Sequence, residues 1–95
     1  MAKAKPTTEF LLTRHAKEEM ARRQISVQDV AKVFAAPEQI ETVRQGRSVY
    51  QSRIEMGKPT KMYLLRIFVD TDRQPQEVVT VYRTSKIQKY WRSNK

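Results

Sequence analysis

The hydrophobic pattern changes character near residue 38. Before that point apolar residues recur at helical spacing, and after it they alternate. In "FLLTRHAKEEMARRQIS" Thr13 is positioned as an N-cap, which predicts a helix from about Arg14 to Arg23. Ser26 caps a second helix. Asp29, in its first turn, complements the helix dipole, and Ile25 before the cap can staple onto Val30. Val27, Val30, Val33 and Phe34 supply the apolar stripe, and Pro37 ends the helix because the residue before a proline avoids helical geometry.

Alternation then predicts four strands: "QIETV", "SVYQSRIE", "KMYLLRIFVD" and "EVVTVYRT". The breaks "RQGR", "MGKPT" and "TDRQPQ" are short, so the strands should form an antiparallel meander with helices on one face. Ile87, Tyr90 and Trp91 predict a short C-terminal helix. The expected fold class is α+β: N-terminal helices on a four-stranded antiparallel sheet, order ααββββα.

Strand alternation assigns faces. Tyr63, Leu65, Ile67 and Val69, with Val79 and Val81, form the rows expected to meet the helices. The opposite rows hold Leu64, Arg66 and Phe68, then Val78, Thr80, Tyr82 and Thr84. Gln51, Arg53 and Glu55 share a face of the second strand. An outer face carrying Arg, Thr and Tyr is either a binding surface or simply a solvated one.

Composition narrows the function classes. The chain has 95 residues, enough for one domain with a thin core, expected over residues 10–92 behind a flexible basic tail at 1–9. Nineteen Lys and Arg against ten Asp and Glu give a net charge of +9, which favours polyanionic partners: nucleic acid, anionic lipid or an acidic protein. There is no cysteine, so disulfides and thiolate metal sites are excluded. No apolar run approaches a membrane span, and "MAKAKPTTEF" lacks the apolar core of a secretory signal, so a cytoplasmic protein with no membrane association is expected.

Several chemistries fail on residue type. One histidine and no HExxH leave no zinc site, "DTD" lacks the other ligands of a calcium loop, "GKPT" lacks the upstream glycine of a phosphate loop, and no G-x-S-x-G elbow exists. No metal and no cofactor are expected. His15 is the sharpest candidate, since imidazole moves protons near neutral pH. Glu19 one turn on could raise its pKa, while Arg22 and Arg23 oppose that rise. The plainer alternative is a histidine that caps or packs locally. Arg23, on the apolar row of its helix, is either a paired structural arginine or a phosphate ligand. Tyr90 and Trp91 are expected in the core rather than as stacking platforms.

Together "LTRHAKEEMARRQIS", "GRSVYQSR", "YLLRIFVD" and "VVTVYRTSKIQKYW" resemble the domain-of-unknown-function family 4258 within the RelE-like (barnase/EndoU/colicin/RelE) ribonuclease-toxin superfamily, over roughly residues 10–91. The resemblance implies a compact RelE-like α/β fold and a metal-independent endoribonuclease of the toxin–antitoxin type, cleaving RNA by 2′-OH attack. It implies catalytic positions at His15, Arg23, Arg53, Arg66, Tyr82 and Thr84, with Arg22, Arg83 and Lys86 as RNA-binding cations. RNA, with or without the ribosome, and an acidic antitoxin are the implied partners. The alternative is a non-catalytic RNA-binding or protein-interaction module with the same basic surface.

Overall fold

The computed structural model describes residues 10–92, so the tail expected at 1–9 lies outside the described residues. Thr13 opens the first helix, α1 (Arg14–Arg23), with its side chain accepting from Ala16 N at 3.1 Å. The helix closes where Gln24 turns into the left-handed region (φ 56), which lets Ile25 N reach back to Met20 O at 2.9 Å. That closure delivers Ile25 into the core, 4% exposed. The second helix, α2 (Val27–Ala35), starts with Ser26 accepting from Asp29 N, and buries Val30, Val33 and Phe34. Val27 is a correction to the expected stripe. It sits in the first turn, 52% exposed, so the buried row starts one turn later.

The expected α+β class holds, but the sheet differs from four antiparallel strands. It is five-stranded and mixed. A two-residue strand, β1 (Leu11–Leu12), precedes α1 and pairs parallel to the last strand. The others are β2 (Gln39–Arg44), β3 (Arg47–Met56), β4 (Lys61–Asp70) and β5 (Glu77–Thr84), in the spatial order β1-β5-β4-β3-β2. β2 to β5 form the expected meander. Two residues carry no alternation, and β1 is held by Leu11 N to Gln76 O (2.9 Å) and Thr13 N to Val78 O (3.1 Å).

A bulge in β5 corrects the face assignment. Phe68 opposes Thr80 and Val69 opposes Val78, leaving Val79 unpaired with β4. Val78 and Val81 therefore both face the helices, fully buried, and Val79 does not take the place expected of it. Leu65, Ile67 and Val69 do meet the helices, packing with Ala16, Met20, Val30, Val33 and Phe34. Tyr63 shares their row but lies outside that cluster and is only half-buried. Phe10, Phe34 and Tyr50 stack through centroids 4.8 and 5.7 Å apart.

The far face of the sheet is not left to solvent. Val49, Gln51, Leu64 and Arg66 are all buried there. The cover is the C-terminal segment, whose short helix α3 (Ile87–Tyr90) lies against this face rather than beside α1 and α2. Helices thus occupy both faces, which spacing along the sequence alone cannot decide.

Candidate functional site

Strand register builds a polar row across the far face. Gln39 opposes Gln51, Gln51 opposes Arg66, and Arg66 opposes Tyr82, one residue from each of β2 to β5. Arg66 Nε donates to Gln51 Oε1 (2.8 Å), and Arg66 Nη1 donates to the Tyr82 hydroxyl (2.6 Å). Gln51 Nε2 donates to Gln39 Oε1 (2.8 Å) and to Tyr90 O (3.2 Å). The Tyr90 ring covers the guanidinium at 4.4 Å from Cζ, with the rings of Phe68 and Tyr82 at 5.6 and 5.7 Å.

The electrostatics of this row are unusual. Arg66 is 8% exposed, yet among the described residues no carboxylate forms an ion pair with it. A buried cation normally carries a counter-ion. Here two neutral dipoles and the negative faces of aromatic rings compensate the charge only in part. Nη2 has no hydrogen-bond partner in the protein among the described residues. Among the described residues no buried side-chain polar atom is orphaned, so Nη2 is not fully enclosed.

Arg53 lies two residues beyond Gln51 on β3, on the same face and over the Trp91 ring at 4.3 Å. Unlike Arg66 it is neutralised: Glu38 accepts from its Nε (3.1 Å), its Nη2 (3.1 Å) and its backbone N (2.8 Å). The side-chain hydrogen bond from Arg53 is the main cause holding the Glu38 carboxyl below its usual range. Thr84 accepts from Lys86 N (3.0 Å) and so fixes the start of the C-terminal segment, with Lys86 exposed beside it. Arg83 points to the other face, stacked on Tyr63 at 4.7 Å.

The helix candidates form a separate group. Glu19, 8% exposed, accepts from Arg23 Nε (2.8 Å) and Arg22 Nη1 (2.9 Å). These bonds, Arg23 first, hold its carboxyl below the usual range despite burial. His15 Nε2 stands 3.8 Å from Glu19 Oε2, so the imidazole shares a carboxylate already taken by two arginines. Helix α1 packs Ala16 and Met20 against the face opposite Arg66 and Tyr82. The residues expected to form one constellation therefore divide. Arg53, Arg66, Tyr82 and Thr84 gather on the far face, while His15, Arg22 and Arg23 gather around Glu19.

A cleft of about 590 Å³ opens between α2 and β3; it takes in Lys32 and Arg53 and leaves out His15, Arg66 and Tyr82. Among the described residues no group of three or more His, Cys, Asp or Glu is placed to hold a metal, and no helix is long and apolar enough to cross a membrane. Sequence reasoning found Arg66 and Tyr82 but missed Gln39, and it gave Gln51 and Tyr90 no part in the site. The available signal was Gln51 between Val49 and Arg53 on one face of the strand. Tyr90 and Trp91, expected in the core, are half-buried and stack on arginines.

A family model described as Domain of unknown function (DUF4258) matches residues 12–83. The matched stretch contains His15, Gln51, Arg66 and Tyr82 and stops short of α3. No curated protein and no solved structure matches the chain.

Proposed function

The chain belongs to the DUF4258 family, and we propose that it is a RelE-like RNA-binding protein whose far sheet face seats an RNA phosphate on Arg66. The observation that carries this reading is the buried guanidinium that, among the described residues, pairs with no carboxylate. A planar fork with free N–H donors in low dielectric is suited to a phosphate oxygen, which would supply the missing counter-charge. The net charge of +9 extends the attraction along a polyanion. With the RelE-like placement come a cytoplasmic RNA target, free or on the ribosome, and an acidic antitoxin as protein partner.

Binding of a short single-stranded RNA, followed by anisotropy, should weaken steeply with salt, with a log–log slope of about −0.7 per phosphate contacted. Arg66→Gln should weaken it at least about tenfold, the loss expected when a charged hydrogen bond is removed from a desolvated site. Binding unchanged by Arg66→Gln, or flat with salt, overturns the reading.

The 2.6 Å bond between Arg66 and Tyr82 favours a second step, metal-independent cleavage. The RNA 2′-oxygen would give up its proton to solvent and attack phosphorus, and the bond to the 5′-oxygen would break, leaving a 2′,3′-cyclic phosphate and a 5′-hydroxyl. Arg66 would stabilise the crowded phosphate, and a hydroxyl such as that of Tyr82 would donate the proton the 5′-oxygen needs. Incubation of the pure protein with mixed RNA in chelator tests it. Cleavage lost in Tyr82→Phe, kept in His15→Ala and absent on a 2′-deoxy substrate assigns the chemistry to the sheet face. Loss in His15→Ala alone moves it to α1. No cleavage even with ribosomes supplied leaves the binding function alone.

A further inference from the structure

The C-terminal segment raises a question about access, because it covers the group that the RNA reading needs. Tyr90 lies on the Arg66 guanidinium, and Trp91 lies on that of Arg53. We infer that residues 86–92 are a self-occluding cap, in which the Tyr90 ring holds the place of an unpaired nucleobase of single-stranded RNA. This rests on the RNA-binding reading and specifies how that site is opened and what it accepts.

The cap is built to be displaced. Helix α3 has four residues, none buried, and no side-chain N-cap bond. Beyond the stacking of Tyr90 against Arg66 and Tyr82 and of Trp91 on Arg53, its attachment is a small set of exchangeable polar contacts. Gln51 Nε2 donates to Tyr90 O, Gln39 Nε2 donates to Arg92 O (2.7 Å), Arg92 N donates to Gln39 Oε1 (3.1 Å), and Arg92 Nη1 pairs with Glu41 (2.7 Å). Segments with few buried apolar contacts open at low free-energy cost.

The chemistry of the covered spot matches a nucleotide. A guanidinium accepts any aromatic face, and nucleobases stack on arginine planes as tyrosine does. A phosphate hydrogen-bonded to Nη2 with its base in place of the Tyr90 ring would satisfy both the charge and the stack. A base held in a duplex must first break its own pairing and stacking, and the site therefore favours unpaired RNA.

The test uses the full chain and its only tryptophan, Trp91, which sits on the cap. Binding of a labelled short RNA is measured by anisotropy, as single strand and as duplex, alongside Trp91 emission. Tyr90→Ala and Gln39→Ala loosen the cap by independent contacts, so a folding defect in one leaves the other informative. Each should tighten single-strand binding about fivefold or more, because less free energy goes to opening. In the wild type, RNA should shift Trp91 emission to the red, and duplex should bind more weakly than single strand. Unchanged or weaker binding in both variants, or fixed Trp91 emission while RNA binds, overturns the cap. RNA bound by neither the wild type nor the variants overturns the RNA reading, and the cap falls with it.

Discussion

Arg66 and Tyr82 stand directly opposite on β4 and β5 and share a 2.6 Å hydrogen bond, and among the described residues no carboxylate forms an ion pair with Arg66. An arginine kept for stability would be costly to lose, whereas one kept for a ligand should be nearly free to replace once its acceptor is replaced with it. Arg66→Met combined with Gln51→Met is expected to stay within about 1 kcal/mol of wild-type stability in urea unfolding, since a buried charge and its polar partner are removed together. A loss of several kcal/mol would make Arg66 a structural residue.

Arg47 and Asp70 form the contrasting case. They oppose each other across β3 and β4, with Arg47 Nε and Nη2 on the two Asp70 oxygens at 2.6 and 3.1 Å. The Arg47 hydrogen bond is the main cause holding the Asp70 carboxyl below its usual value of 3.8. A lowered folded pKa contributes stability that is fully present above the unfolded value and lost as pH falls through the folded one. Asp70→Asn should therefore cost about 1–3 kcal/mol at neutral pH. That difference should shrink as pH falls below 3.8, read by urea melts of both proteins in acid.

Thr13 joins two elements through one hydroxyl. Its oxygen accepts from Ala16 N and donates to Val79 O (3.3 Å), so the cap of α1 is also its tie to the β5 bulge. Thr13→Ala should cost about 1–2 kcal/mol, at the upper end for an N-cap. Thr13→Ser, which keeps both bonds, should recover most of that loss in the same urea melt.

Gly46 and Gly57 both hold positive φ, 83° and 87°. An alanine at either position pays about 1 kcal/mol for that backbone. At Gly46 the added carbon would also meet Asp72 Oδ2 at 2.7 Å, whereas at Gly57 the nearest atom is 3.6 Å away. Gly46→Ala should thus lower the melting temperature more than Gly57→Ala, and equal shifts would show that the Asp72 side chain simply swings aside.

The two long helices and the four long strands were legible in the sequence because each runs long enough to show its period and carries its own caps or turns. β1 was not, since two residues have no period and their partner lies at the other end of the chain. Val79 was misplaced because a single unpaired residue reverses alternation without any mark in composition. Arg66 and Tyr82 were visible as polar residues in an apolar setting. Their convergence with Tyr90 was not, because it depends on which side of the sheet the chain's last turn crosses. Helical spacing alone makes His15 and Glu19 neighbours, while the competition from both arginines for that carboxylate depends on rotamers.

The pairing of β1 with β5, and the packing of α1 on β5, have a consequence during synthesis. Thr13 waits for a partner 66 residues downstream, so a nascent chain can wind α1 early but has nowhere to seat it until the last strand leaves the ribosome. Of the two long helices, the first made is the last docked. Chains stalled before Glu77 should leave the α1 segment open to proteolysis, and those released beyond Thr84 should become resistant in one concerted step.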